Sequence, residues 1–179
     1  MKRDKRPYQD IWRDGRLIER GRRDCSTRYL AIRDALEEHV GYGFTVADIG
    51  GRDGYFLVRL YEDLAARGTL IDPRPADLPG HIRHVKAKYK PKQDIGTYDV
   101  ILLLSVLHHV GDWKAFYESL RARCRWLIVE TANPEETFKR ERPLEEIDRR
   151  LSMDAEGYLC FSRSLKGPYR PTYLVRGGQ

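Results

Sequence analysis

The sequence predicts an α/β protein built on one open, mostly parallel β-sheet. Apolar runs of strand length alternate with amphipathic segments of helical length from residue 26 to residue 131. The run 98–104 (YDVILLL) is apolar almost throughout, as expected of a parallel strand that is covered on both faces. A length of 179 residues with 41% hydrophobic residues suits one domain with its own core.

The first half of the domain is predicted as two helices and three strands. Apolar residues at helical spacing indicate a first helix, capped by Ser26-Thr27 and ended by Gly41, and a second helix from Tyr55. Strands are predicted at 44–49 (FTVADI), 69–72 (TLID) and 81–87 (HIRHVKA).

The second half is predicted to alternate in the same way and to end in a hairpin. After the strand 98–104 we expect a helix at 112–123, a strand at 126–131 (WLIVET), a charged helix at 135–151 broken at Pro143, and a hairpin of 157–164 and 170–176. The links 73–80 and 88–97 are short and rich in proline and lysine. Crossover helices are therefore expected to be reduced around strands 2–4.

The positive charge is concentrated at the N-terminus. The net charge is +6, and residues 1–33 hold eleven Lys and Arg against five Asp and Glu, whereas the rest of the chain is neutral. We therefore predict a basic N-terminal arm (1–25) joined to a domain (26–179). Such an arm could bind phosphates or an acidic partner, or remain a solvated, partly ordered tail. Tyr8 and Trp12 form no regular basic and aromatic stripe, so the nucleic-acid signal is weak.

Several classes of protein do not fit. No apolar run approaches the ~20 residues of a membrane span, and the basic N-terminus has no apolar segment behind it. Cys25, Cys124 and Cys160 are widely spaced, which suits reduced thiols and predicts a cytoplasmic protein. His81 and His84 lie on a predicted strand edge without a third ligand, so we predict no metal site.

A glycine-rich loop follows the first strand, in VADIGGRDGYF (46–56). Glycines let the backbone turn sharply and let a ligand approach closely, and the helix behind the loop offers free N–H groups. The phosphate-binding pattern G-x-x-x-x-G-K-[ST] is absent. The dinucleotide pattern G-x-G-x-x-G fails because Arg52 or Asp53 stands where its second glycine would be, which disfavours an NAD-dependent oxidoreductase.

The loop resembles the first motif of the class I S-adenosyl-L-methionine (SAM)-dependent methyltransferases, [V/L]-[L/A]-D-[I/L/V]-G-x-G-x-G. It stands here as VADIGGRDG, with Arg52 in place of the middle glycine. The segments 98–110 (YDVILLLSVLHHV) and 126–130 (WLIVE) resemble the family's fourth and fifth strands, and the terminal hairpin its sixth and seventh. The resemblance covers about residues 26–176. It implies a single-domain, Rossmann-like sheet of seven strands, mostly parallel with the last strand antiparallel.

The resemblance also implies a cofactor site for SAM. Asp72, which follows Gly54 by 18 residues, would hold the ribose through its two carboxylate oxygens. Arg28 would reach the SAM carboxylate, or else form a surface salt bridge. The segment VKAKY (85–89) offers no acid for the adenine, which leaves backbone groups there. The other residues implied are Gly50, Gly51 and Gly54 along the methionine part, Asp48 beneath the loop, and Ser105 beside the sulfonium.

Three residues are candidates for a general base, should the acceptor have to lose a proton. His108 and His109 follow the fourth strand and titrate near neutrality, and Glu130 ends the fifth strand. The alternative is that LHHV is a local helix start with one histidine packed and one exposed. Arg170 and Tyr173 of the hairpin are interpreted as structural.

These motifs predict a methyltransferase that transfers a methyl group from SAM to an oxygen or nitrogen nucleophile. The motif [D/N]-P-P-[Y/F] of amide and exocyclic-amine methyltransferases is absent, and so is an inserted substrate domain. A small molecule, sugar or metabolite is therefore the expected acceptor. The alternatives are an RNA or other phosphorylated acceptor met by the basic arm, and a SAM- or nucleotide-binding protein without catalysis.

Overall fold

The computed structural model describes residues 6–23, 25–138, 141–163 and 169–179. In chain order its strands and helices are β1 (Ile11–Arg13), β2 (Arg16–Glu19), α1 (Ser26–His39), β3 (Thr45–Ile49), α2 (Tyr55–Leu64), β4 (Arg67–Ile71), β5 (Arg83–Val85), β6 (Tyr98–Leu104), α3 (Trp113–Arg121), β7 (Cys124–Glu130), α4 (Leu144–Asp154), β8 (Ala155–Arg163) and β9 (Tyr169–Arg176). A short 3₁₀ turn, Leu107–His109, follows β6. None of the helices in the described residues is long and apolar enough to cross a membrane.

The main sheet has the strand order β5-β4-β3-β6-β7-β9-β8. Strands β3 to β7 pair in parallel, and β9 lies antiparallel between β7 and β8. The predicted Rossmann-like α/β sheet with an antiparallel last strand is confirmed. The chain runs outward from β3 through β4 to β5 and then returns to β6 on the other side of β3. This reversal opens a crevice at the carboxyl ends of β3 and β6, where ligands bind in such sheets.

Helices cover both faces of the sheet, and β6 shows why its sequence is continuously apolar. Val100 and Leu102 face the core built with α1 and α2, while Ile101 and Leu103 face the core built with α3 and α4. All four side chains are 0% exposed. A strand buried on both faces has no polar alternation, as the sequence of β6 predicted.

Several boundaries differ from the sequence prediction by one or two residues, and three differences bear on the local sequence signals. The predicted Ser26-Thr27 cap is wrong, because Ser26 is already helical and Cys25 is the N-cap, without a side-chain cap hydrogen bond. Strand β5 is only three residues long. The helix predicted over 135–151 is wrong in its first part, since 135–138 are not helical and α4 begins after Pro143. Proline disfavours the helical conformation of the residue before it, so the helix starts behind it.

The predicted loss of crossover helices is confirmed, since the structure describes no helix in 73–80 or 88–97. Part of the predicted terminal hairpin, 164–168, lies outside the described residues.

The N-terminal segment contains a hairpin that the sequence analysis did not predict. Asp14 and Gly15 both have positive φ, 47° and 70°, as in the tight turn that the Asp-Gly dipeptide favours. Trp12 donates a hydrogen bond from Nε1 to Glu62 Oε2 on α2, at 2.5 Å. Residues 6–23 are therefore folded against the domain. The Asp-Gly pair was the sequence signal that could have revealed this hairpin.

Candidate active site

A cleft of about 430 Å³ opens at the carboxyl ends of β3, β4 and β6. It brings together residues from the glycine loop, from the end of β4, from the turn after β6 and from the N-terminal segment. Its lining includes Tyr8, Gly50, Arg52, Asp72, Pro73, Arg74, Lys88, Leu104, Ser105, Val106 and His109. The cleft coincides with the crevice that the strand order creates.

Asp48 lies beneath the glycine loop as a buried and unpartnered acid. Its side chain is 1% exposed, and neither carboxylate oxygen has a hydrogen-bond partner in the described part of the chain. Burial, and then the charge of Asp72, raises the pKa of Asp48 to about 7. A Cβ on Gly51 would overlap this carboxylate, and a Cβ on Gly50 would lie 2.8 Å from Val106 Cγ2. The two glycines therefore keep free the space above Asp48 that larger residues would occupy, and Asp48 itself has no hydrogen-bond partner in the described part of the chain. This arrangement fits a ligand with a cationic or donor group.

Asp72 stands at the end of β4 and is 0% exposed. One carboxylate oxygen accepts a hydrogen bond from the Arg52 N–H, at 3.1 Å, and the other from the Arg74 N–H, at 2.8 Å. The guanidinium of Arg74 also pairs with Asp72 at 3.2 Å, but its side chain is half exposed. A ribose diol can replace this half-exposed side chain without disturbing the backbone contacts. Asp72 thus lies in the cleft wall at the end of β4, and its role as the ribose ligand stays a prediction.

An apolar recess of about 70 Å³ adjoins the cleft. Its walls include Ile49, Ile71, Ala87, Tyr89 and Phe116. The recess lies between the ends of β3 and β4 and the segment after β5, which is the segment where the sequence offers no acid for the adenine. A flat apolar ring can enter it with only backbone groups at its edge.

Arg52, the residue that departs from the glycine pattern, holds the N-terminal segment on the loop. It adopts φ 56°, the left-handed region in which glycine is favoured. Its guanidinium lies 4.8 Å from the centroid of the Tyr8 ring. Next to it, Asp53 Oδ2 accepts hydrogen bonds from the Tyr8 and Gln9 N–H groups, at 3.1 and 2.9 Å. Tyr8 thereby becomes part of the cleft wall, which the sequence analysis missed.

Glu130 and two arginines form a buried ion cluster at the end of β7. Arg23 and Arg28, each with a 2% exposed side chain, both pair with Glu130, whose side chain is 0% exposed. Ser162 Oγ also donates to Glu130, at 2.7 Å. Burial alone would raise the pKa of Glu130, but Arg28 and Arg23 hold it below its ordinary value. Arg28 is therefore in a buried ion pair rather than a surface salt bridge, and Glu130 is engaged by three donors.

Ser105 lies directly after β6 and links this cluster to the cleft. Its φ of 62° is unusual for a residue with a side chain. Its Oγ accepts hydrogen bonds from Arg23 Nη1 at 2.9 Å and from Arg170 Nη1 at 3.0 Å. Arg170 in turn makes two bonds to Glu136, at 2.7 and 2.6 Å. Arg170, interpreted from the sequence as structural, thus donates directly to Ser105, a residue of the cleft wall.

The two histidines have different environments. His108 is 1% exposed, and its Nδ1 accepts a hydrogen bond from the Ala132 N–H at 3.2 Å. Burial, followed by the charges around it, lowers the pKa of His108 to about 2. His109 lines the cleft, and burial, then Arg142 and Arg170, lower its pKa. Of the two, His109 is the one that reaches the cleft.

Comparison with known proteins places this site in context. The sequence matches the family described as "Methyltransferase domain" over residues 18–165. No curated protein matches the chain.

Three solved structures share the fold. The chain is similar to the bifunctional kinase-methyltransferase WbdD, with 21% identity and a TM-score of 0.69, covering 97% of this chain and 44% of that one. It is similar to the N-methyltransferase NodS from Bradyrhizobium japonicum WM9 in complex with S-adenosyl-L-homocysteine (SAH), with 16% identity, a TM-score of 0.64 and coverages of 86% and 87%. It is also similar to the 1,6-didemethyltoxoflavin-N1-methyltransferase of Burkholderia thailandensis with bound SAH. That match has 16% identity and a TM-score of 0.60, and it covers 87% of this chain and 80% of that one. The chain spans less than half the length of WbdD.

Proposed function

The chain belongs to the methyltransferase domain family, and on that premise we propose that it is a class I SAM-dependent methyltransferase that methylates an oxygen or nitrogen atom of a small molecule, sugar or other metabolite. The observation that carries this proposal is the cleft that runs from the glycine loop to Ser105 with Tyr8 in its wall. A partly enclosed cleft of this size accommodates a cofactor and the end of a small acceptor.

The residues of the cofactor end match the groups of SAM. When bound, SAM supplies a methyl group on a positively charged sulfonium. Asp48 would receive the amino group, directly or through water, and Asp72 would orient the ribose. The apolar recess with Ile49 and Tyr89 would hold the adenine ring. Methyl transfer is an in-line displacement, so this positioning supplies much of the rate enhancement.

The N-terminal segment supports a small acceptor more than an RNA. Two of its arginines are used within the molecule, since Arg23 is buried against Glu130 and Arg13 pairs with Asp77 at 3.7 Å. Tyr8 and Gln9 are held on the glycine loop by Asp53. Through Tyr8 the segment therefore contributes to the wall of the cleft.

Calorimetry and methyl-transfer assays test this proposal. We expect SAM and SAH to bind and NAD not to bind. Transfer of tritiated methyl groups from SAM should then be measured on pooled small metabolites and on total RNA, with Asp72→Asn as the impaired variant and Asp77→Asn as the matched surface control. If methyl groups were transferred to RNA and not to the small metabolites, the proposed small acceptor would be wrong and the acceptor would be a nucleic acid. Binding of SAM without transfer to any pool would support the non-catalytic alternative.

A further inference from the structure

We propose that the methyl acceptor is an ionised oxygen, carried by a carboxylate or a phosphate monoester and bound by Arg142 and Arg170 beside His109. This inference rests on the proposed methyl transfer and names the chemical class of its acceptor. Carboxylates and phosphate monoesters share the chemistry that matters here: a negative charge spread over more than one oxygen.

The first observation is an excess of positive charge, buried at Arg23 and Arg28 and half-buried at Arg142. Glu130 neutralises only one of its two partners, Arg23 and Arg28. Glu136 neutralises Arg170. Arg142 has no carboxylate partner among the described residues, and its buried Nε makes no hydrogen bond there. A buried guanidinium nitrogen without a partner is costly, and an anion placed beside it removes that cost.

The second observation is where this charge lies. Arg170 donates to Ser105, which lines the cleft, and the Arg170 side chain is only 12% exposed. Arg142 and Arg170 are both close enough to the His109 ring for their charges to lower its pKa. His109 itself lines the cleft. Arg170 therefore contacts the wall of the cleft at Ser105, and the charge of Arg142 acts on the same wall at His109, on the side formed after β6.

The third observation is that most candidate general bases near the cleft are already engaged in hydrogen bonds or ion pairs. Glu130 is held by two arginines and Ser162, and Glu136 by Arg170. His108 already accepts a hydrogen bond at Nδ1. His109 could take a proton, but its imidazolium would lie in the field of Arg142 and Arg170 with Glu136 as the nearby counter-charge. An ammonium or hydroxyl acceptor must lose a proton, whereas a carboxylate or phosphate oxygen at neutral pH has none to lose.

The reaction then balances without a base. A lone pair of the acceptor oxygen forms the new bond to the methyl carbon, and the carbon–sulfur bond breaks with its electron pair staying on sulfur. The anion and the sulfonium become a neutral ester, or a phosphodiester with one charge fewer, and a neutral thioether. A second oxygen of the same group stays on the arginines and keeps the attacking oxygen in line.

Anion binding provides a test that does not depend on knowing the natural acceptor. The melting temperature Tm of the SAH-saturated protein is measured in sodium acetate, in sodium phosphate and in sodium chloride of equal ionic strength. We expect acetate or phosphate, at about ten times its Kd, to raise Tm by about 3 °C above the chloride value. Arg142→Gln should weaken this anion binding about tenfold and Arg142→Lys should partly restore it, while Arg149→Gln, an exposed change on α4, should leave it intact. An equal response of the wild type and Arg142→Gln would overturn the inference.

Product chemistry distinguishes the two sources of the anion. Tritiated methyl groups are transferred from SAM to panels of carboxylic acids, phosphate monoesters, amines and alcohols. A carboxylate product releases volatile methanol in mild base, whereas a methyl phosphodiester or a methylamine keeps its label. Above the pKa of the acceptor, the rate should be independent of pH. Labelling of amines or alcohols only, at a rate that rises with pH and is lost in His109→Gln, would contradict the inference.

The two proposals fail in different ways. If the wild type does not bind SAH in calorimetry, the proposed methyl transfer is wrong. If SAH binds and acetate and phosphate have no effect beyond chloride, only the anionic acceptor is wrong.

Discussion

The two ends of the cleft bury opposite charges. The end formed by β3 and β4 buries two carboxylates, Asp48 and Asp72, and Asp48 has no hydrogen-bond partner among the described residues. The end formed after β6 and β7 buries guanidinium groups around Glu130 and leaves Arg142 without a carboxylate among the described residues. The first end is complementary to a cationic cofactor with a ribose diol, and the second to an anion. One sheet edge thus presents the two reacting partners with opposite electrostatic surroundings.

The two ends of the cleft also differ in how completely their buried charges are paired, and mutations can test this difference. Removing a partner from the Glu130 cluster leaves buried charge uncompensated, whereas removing the charge of Asp48 relieves a cost. The following changes test the comparison, beginning with the largest effect.

Glu130→Gln should lower the free energy of unfolding by about 3–5 kcal/mol, because it leaves Arg23 and Arg28 buried without a counter-ion. The pKa of Glu130 is lowered in the folded protein, so its contribution is present above the unfolded pKa near 4.5 and is lost as the pH falls through the folded value. Urea unfolding at pH 7 and at pH 4 measures both effects. Glu146→Gln, at an exposed pair with Lys114, is the control and should change little. If Glu130→Gln lost no more free energy of unfolding than Glu146→Gln, Glu130 would not be the counter-ion of a buried cluster.

Asp48→Asn should raise the free energy of unfolding of the cofactor-free protein by about 2–4 kcal/mol at pH 8. The pKa of Asp48 is raised to about 7 from 3.8, so the folded state keeps a proton that the unfolded state has released. The stability that this proton provides is complete below pH 3.8 and is lost as the pH rises through 7. The advantage of the variant should therefore vanish near pH 4. Denaturant unfolding across this range measures it, with Asp94→Asn, an exposed change, as the control. A variant that is less stable at pH 8 would show that Asp48 has a partner.

Asp72→Asn should weaken SAH binding about 10- to 100-fold, because an amide offers one acceptor oxygen where the carboxylate offers two charged ones. Titration calorimetry with SAH measures the change, and the exposed Asp77 supplies the matched Asp→Asn control. Equal affinities of the two variants would remove Asp72 from the cofactor site.

Arg52→Gly should leave SAH affinity within about threefold and stability within about 1 kcal/mol. Glycine relieves the positive φ of 56°, which costs about 1 kcal/mol, and gives up the contact with the Tyr8 ring, which contributes about 0.5–1 kcal/mol. The N–H that donates to Asp72 remains in the variant. Calorimetry and urea unfolding measure the two quantities. A tenfold loss of SAH affinity would mean that the Arg52 side chain itself contacts the cofactor.

Most of the fold could be predicted from the sequence because its signals are local. The apolar run of β6, the glycine loop after β3 and the acid after β4 each lie within one strand and its following turn. The sequence predictions that were wrong or missing concern short segments whose structure depends on a few residues. These segments are the start of α1, the region before Pro143 and the Asp14-Gly15 hairpin. The Asp-Gly turn and the proline act at single positions, so they leave little trace in the spacing of apolar residues.

The candidate site divides along the same line. The sequence by itself determined the α/β sheet, the SAM-type loop and the positions of Asp48 and Asp72, because short spacings along strands place these residues at one edge. Only the tertiary structure decided that Arg23 and Arg28 would meet Glu130, across 107 and 102 residues of chain, and that Tyr8 would join the cleft wall. A sequence with 33 basic residues does not reveal which of them is buried beside which acid. That choice follows from the packing of distant elements, because a buried charge is tolerated only where the fold brings it a partner.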